Sequence, residues 1–215
     1  MQEPIEVRLR DSKQIALARL QDMIVEAAME VEPKIILHGG TAIWRCYNGN
    51  RFSEDVDIYA TDTQVKGLNQ LLTRALSKRG ARMEYPIYTN HVIGVTSDDA
   101  RSKLEAMKLP RGIKPAQVEY TRANGSKMFV NTLSVQDFIA EKANTYIKRR
   151  YIRDLYDLYH LVTIEKPDKA TGRLLRRFIN GVEKPIDESK LKDLVYMGIA
   201  PSFDTMITTI KKMIG

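Results

Sequence analysis

The run Lys34-Ile35-Ile36-Leu37-His38 is short, apolar and β-branched, and it ends at Gly39-Gly40-Thr41, from which Ala42-Ile43-Trp44 continues. That order predicts a buried strand turning through glycines into the start of a helix. Such a junction presents unpaired backbone N–H groups and the positive end of a helix dipole, so it suits an anion such as a triphosphate. Arg51-Phe52-Ser53-Glu54-Asp55-Val56-Asp57-Ile58 follows a short helix and loop later. Side chains alternate along a strand, so Asp55 and Asp57 share one face while Val56 and Ile58 point into a core. Two carboxylates held that close repel unless a cation lies between them. A hard divalent ion, Mg²⁺ above all, accepts such oxygen ligands and bridges to substrate phosphates.

A two-metal phosphoryl-transfer site calls for a third carboxylate from another strand. Ala116-Gln117-Val118-Glu119-Tyr120-Thr121 alternates in polarity and puts Glu119 on its polar face, where an ordinary solvated strand residue would also sit. Asn124-Gly125 then predicts a hairpin, since both central residues of a type I′ turn need positive φ. Ser134 caps a helix with Asp137 in its first turn, and Lys142 falls on or beside that helix's apolar stripe of Phe138, Ile139, Ala143 and Tyr146. A lysine there either snorkels to water or meets an anion. In the next helix Asp154 and Asp157 share a face one turn apart. Arg150 and Arg153 stand four residues before each of them, spaced for helix-surface ion pairs.

Gly39-Gly40-Thr41-Ala42, Arg51-Phe52-Ser53-Glu54-Asp55-Val56-Asp57, Val118-Glu119, Glu141-Lys142-Ala143 and Arg153-Asp154-Leu155-Tyr156-Asp157-Leu158 form an ordered series. The series resembles the nucleotidyltransferase superfamily that includes DNA polymerase beta and kanamycin nucleotidyltransferase, and more closely its AbiEii/AbiGii-type toxin branch. The resemblance implies Mg²⁺-dependent transfer of a nucleoside monophosphate from an NTP, with pyrophosphate leaving. It implies metals on Asp55 and Asp57, with Glu119 completing the second site or taking the acceptor's proton. Gly39, Gly40 and Thr41 would hold the triphosphate; Ser53 would touch phosphate oxygens; Arg51 would do the same or brace the loop. Lys142 would reach the nucleotide phosphates, Asp154 would be the late catalytic aspartate, and Asp157 and Arg153 would support it. The series leaves open whether Glu119 or Asp154 is the base.

The formal net charge of +7 coexists with this acidic pattern and points to a polyanionic partner. Basic residues gather at Arg101 to Lys114, at Lys148 to Arg153, and at Arg173, Arg176 and Arg177, which favours RNA over a cationic antibiotic as acceptor. The family resemblance makes tRNA the acceptor of choice and adds a cognate antitoxin as partner. Two other readings stand beside this one: a basic RNA- or partner-binding protein that keeps the fold without turnover, and nucleotidylation of a protein or small molecule. Cys46 is the only cysteine and there are three histidines, so a disulfide within the chain is excluded and a zinc cluster is disfavoured. Met1-Gln2-Glu3-Pro4 has no signal-peptide character and no run reaches membrane-spanning length, which predicts a cytoplasmic protein.

The expected fold is a mixed α+β arrangement: a nucleotidyltransferase-like mixed sheet with flanking helices over 1–131, then a helical domain over 132–215 that closes the active-site cleft. Strands are expected at Met83 to Tyr88 and His91 to Thr96, and a basic helix-and-loop segment at Asp98 to Pro115.

Overall fold

Alternating and β-branched runs become strands here, and the longer 3.6-periodic runs become helices. The computed structural model describes residues 3–60, 62–84 and 91–215, and for 62–69 the backbone alone. Contacts divide the chain into two compact units, one of residues 1–48 and 52–132, the other of 49–51 and 133–215. Among the described residues no helix is long and apolar enough to cross a membrane.

The first unit opens with α1 (Ile5–Arg8) and α2 (Ser12–Val31), the latter capped by Asp11, whose carboxylate accepts from the Gln14 N–H at 2.8 Å. Then come β1 (Ile36–His38), α3 (Gly39–Cys46), β2 (Val56–Ala60), α4 (Asp62–Ser77), β3 (Arg82–Met83), β4 (Val92–Thr96), β5 (Arg101–Lys108), β6 (Ala116–Thr121) and β7 (Lys127–Thr132). The strands form one mixed sheet in the order β3-β4-β5-β2-β1-β7-β6. β2 runs antiparallel to β1 and parallel to β5, so β2 is the strand with neighbours on both flanks near the acidic motif. Val56, Ile58, Leu104, Ala106 and Val130 are buried, as are Leu20, Ile24, Leu72 and Leu76 from the packed helices. A polar brace crosses this core: the Asp22 carboxylate accepts from Arg45 at 2.9 Å, from the Tyr120 hydroxyl at 2.9 Å and from the Ala123 N–H at 2.8 Å. Burial pushes the Asp22 carboxyl up despite these donors.

Two sequence expectations change. Residues 101–108 form a strand rather than a basic helix with loops, because Ser102, Leu104 and Ala106 are buried while Arg101 and Lys103 are exposed. The β6–β7 connection is longer than a type I′ turn. Only Gly125 has positive φ (84°), the Gly125 N–H donates to Arg122 at 2.9 Å, and Asn124 instead accepts from the Ser126 N–H at 2.9 Å. The expected strand at Met83 to Tyr88 is seen at its first residue; 85–88 lie outside the described residues, as do the side chains of Asp62, Val65 and Leu68.

The second unit contains α5 (Val135–Arg149), α6 (Ile152–Ile164), α7 (Lys169–Gly181), a short 3₁₀ turn (Glu188–Lys190), α8 (Leu191–Leu194) and α9 (Phe203–Ile214). Ser134 caps α5, its hydroxyl accepting from the Asp137 N–H at 3.1 Å. Residues 49–51 join this unit through a bridge between Arg51 and Val195, and the Tyr196 N–H donates to the Asn50 carbonyl at 3.1 Å.

Candidate active site

The sequence places Gly39 where only glycine fits. Its φ is +72°, and a Cβ added there would lie 2.0 Å from Oδ2 of Asp57. The Asp57 carboxylate therefore lies against the first turn of α3, at the positive end of that helix's dipole. Across the sheet Asp57 pairs with His38 on one side and with Glu105 on the other. Glu105 is half-buried, lies one strand spacing (~4.8 Å) from Asp57, and carries no ion pair among the described residues. Asp55 likewise has no ion pair among the described residues, and it directly precedes β2.

The loop carrying these carboxylates is pinned by side chains from three elements. Gln21 of α2 donates to the Ser53 carbonyl at 2.7 Å, Ser102 of β5 to the Glu54 carbonyl at 2.7 Å, and Thr41 of α3 to the Asp55 carbonyl at 2.5 Å. Gln21 and Thr41 are fully buried and Ser102 nearly so. The Thr41 hydroxyl is thus committed to the loop. Ser53 is half-buried, with its carbonyl held by Gln21.

Glu119 does not join this group. It sits on β6, the edge strand, opposite Phe129, with β7 and β1 between it and β2. Three strand spacings and four residue rises put it on the order of 20 Å from Asp57. Its half-exposed carboxylate accepts from Lys127 at 2.5 Å. The carboxylate that the sheet sets beside Asp57 is that of Glu105. Its signal was legible in the alternation of Ser102-Lys103-Leu104-Glu105-Ala106, but the many charges of 101–114 made that stretch read as a surface segment.

The second unit collects its charges into a separate buried cluster. Arg51 donates to both oxygens of Asp157, at 2.5 and 2.6 Å, and Lys142 lies 2.9 Å from Asp157 and 3.6 Å from Asp154. Asp154, itself fully buried, accepts a two-pronged bond from Arg149 at 2.7 and 2.8 Å. Burial alone would push the Asp157 carboxyl up, but the Arg51 guanidinium and Lys142 ammonium outweigh it and hold it at about 2. The expected partners, Arg150 and Arg153, take no part. Arg150 ends α5 with φ 53° and pairs with Glu183 at 2.6 Å, and Arg153 is exposed near the Tyr151 ring. Arg51, expected to touch phosphate or brace the loop, is held by both oxygens of Asp157. Burial pushes the Cys46 thiol up to about 12, which disfavours the nucleophilic thiolate.

Among the described residues no three His, Cys, Asp or Glu side chains converge into a ready-made metal cage. The donor set nonetheless fits Mg²⁺, which is held by one or two carboxylates plus substrate phosphates rather than by an all-protein cage. Asp55, Asp57 and Glu105 supply hard oxygen donors, two of them free of ion pairs.

The chain is similar in structure to JHP933 from Helicobacter pylori, with 16% identity and a TM-score of 0.66 over 95% of this chain and 91% of that one. A putative nucleotidyltransferase from H. pylori matches with 15% identity and a TM-score of 0.63, covering 95% of this chain and 94% of that one. At those identities the likeness concerns the fold. No curated protein sequence matches the chain. The model of the family described as "Nucleotidyl transferase AbiEii toxin, Type IV TA system" matches residues 24–195.

Proposed function

We propose that this chain, which belongs to the nucleotidyl transferase AbiEii toxin family, moves a nucleoside monophosphate from an NTP to an RNA acceptor, with tRNA the first to test. The observation carrying this reading is the pair Asp57 and Glu105, side by side on β2 and β5, with Asp57 seated at the first turn of α3. Mg²⁺, held by Asp55, Asp57 and Glu105, would supply charge neutralisation at the phosphates. The acceptor hydroxyl oxygen bonds to the α-phosphorus, the bond from that phosphorus to the β-phosphate oxygen breaks, and pyrophosphate leaves with the electron pair. The hydroxyl proton passes to a carboxylate, and Glu105 suits that task better than Asp154, whose oxygens are held by Arg149. Backbone N–H groups of Gly39, Gly40 and Thr41 are proposed to orient the triphosphate. A phosphate role for Lys142 requires it to exchange Asp157 for phosphate oxygens. The family description, a type IV toxin–antitoxin system, supports a cognate antitoxin as partner.

The test is incubation of the purified protein with Mg²⁺, each labelled NTP and total RNA. Label should enter RNA and be lost with Asp57→Asn and Glu105→Gln. Label in protein with unlabelled RNA would replace the RNA acceptor. No transfer to any acceptor, with RNA binding intact in Asp57→Asn, would leave a binding protein.

A further inference from the structure

β2 has two unlike flanks. On the β1 side lies the first turn of α3, with its backbone N–H groups; on the β5 side lie Glu105 and, two residues earlier on the same strand, Lys103. Residues two apart share a face, so Lys103 stands beside Glu105 at ~6.6 Å along the strand. The Ser102 bond to the Glu54 carbonyl continues the β2–β5 register into the loop, which sets Lys103 level with Asp55. Lys103 is exposed and has no ion pair or hydrogen bond among the described residues, although two unpaired carboxylates adjoin it. Its cross-strand neighbour on β4 is Gly94, which has no side chain to fill the space next to the ammonium.

From this placement we propose that Lys103 binds a backbone phosphodiester of the acceptor RNA, and that the acceptor enters across β5 and β4. The inference rests on the nucleotidyl-transfer reading above for which flank is which. The helix turn takes the triphosphate on the β1 side, so the group attacking the α-phosphorus comes from the opposite side, where Glu105 and Lys103 lie. A nucleic-acid acceptor brings a phosphodiester next to its reacting nucleotide, and that charge would be repelled by Asp55, Asp57 and Glu105 unless a cation met it. Among the described residues, Lys103 is the cation that β5 sets next to Glu105 without an ion pair of its own. Arg101, two residues further on the same face, pairs with Glu84 at 2.5 Å and is already neutralised.

The experiment compares wild type, Lys103→Gln and Lys103→Arg in two assays. In steady-state labelling with RNA and NTP varied separately, Lys103→Gln should raise KM for RNA roughly tenfold, the loss expected for one charged hydrogen bond, with KM for NTP unchanged. Lys103→Arg should restore most of it. In fluorescence anisotropy with a labelled single-stranded RNA and no NTP, Lys103→Gln should weaken binding and reduce the salt-dependence slope by about one. An unchanged KM for RNA together with an unchanged salt slope overturns the inference, even where Asp57→Asn abolishes labelling and the nucleotidyl-transfer reading stands. Where wild type transfers nothing, that reading falls and the anisotropy arm alone decides whether Lys103 holds phosphate. An elevated KM for NTP would move Lys103 to the triphosphate and overturn the acceptor assignment.

Discussion

Replacing Gly39 by alanine separates two penalties that the structure shows at one position. The first is backbone: φ of +72° lies in the left-handed region, where a Cβ costs roughly 1–2 kcal/mol. The second is a collision, since the new Cβ would stand 2.0 Å from Asp57 Oδ2 and 2.8 Å from its Cγ. An ordinary carbon–oxygen contact is about 3.3 Å, so the carboxylate must retreat by about 1 Å or rotate away from Glu105. A displacement of about 1 Å in a positioned catalytic group can lower turnover by about 100-fold. Gly80 provides the control: its φ is +78° and nothing lies within 4 Å of its added Cβ. Gly80→Ala should therefore lose a similar 1–2 kcal/mol in urea unfolding while keeping NTP labelling near wild type. Gly39→Ala should match Gly80→Ala in stability to within about 1 kcal/mol and lose labelling by about 100-fold. Labelling by Gly39→Ala within threefold of wild type would refute the argument that Asp57 works from against that turn.

Glu105→Gln should abolish labelling while preserving the circular dichroism spectrum, and Glu119→Gln should leave labelling within about twofold of wild type, because its partner is a surface lysine. Ser102→Ala removes one of the three bonds that pin the acidic loop, so kcat should drop several-fold at nearly unchanged KM for NTP; Ser102→Thr should recover it. The second unit should weaken in acid. Asp157, held at about 2, contributes stability that is complete above its ordinary value near 4 and is lost as pH falls from about 4 to 2, amounting to about 2 kcal/mol. Acid titration followed by α-helical circular dichroism should show that loss shrink in Asp157→Asn at equal starting fold; an unchanged acid midpoint would count against the Arg51–Asp157–Lys142 cluster as its source.

The glycine turn and the strand it follows were legible because they are local: each depends on residues a few places apart and on fixed strand or helix periods. The same holds for the Ser134 cap. Glu119 was misplaced for a nonlocal reason. Its own strand was read correctly, but nothing in a single strand says which neighbours it will have, and β6 proved to be the far edge of the sheet. Glu105 was overlooked because charge density and strand alternation compete in the same eight residues, and burial of Leu104 and Ala106 against the helices decided for the strand. Arg51 shows a third limit. Its partner Asp157 is 106 residues away, and an i,i+4 arginine was the better local guess.

The two buried or half-buried groups of acids in this chain are treated in opposite ways, and the difference bears on which can do chemistry. Asp154 and Asp157, both buried, meet three cations, Arg51, Lys142 and Arg149, so their charges are met before any ligand arrives. Removing a partner there exposes an uncompensated buried charge, which makes the cluster costly to disturb. Among the described residues Asp55 and Glu105 have no such partner, yet three hydrogen bonds fix the loop that carries Asp55 and Gly39 admits the Asp57 carboxylate. Repulsion between the neighbouring carboxylates of Asp57 and Glu105 is unfavourable by itself and would be relieved by a divalent cation with its triphosphate. On the function proposed above, ligand-dependent chemistry falls to the first unit's acids, while the charges of Asp154 and Asp157 are compensated without a ligand. Mg²⁺ with a nonhydrolysable NTP should accordingly raise the melting temperature of wild type, and should do so far less in Glu105→Gln.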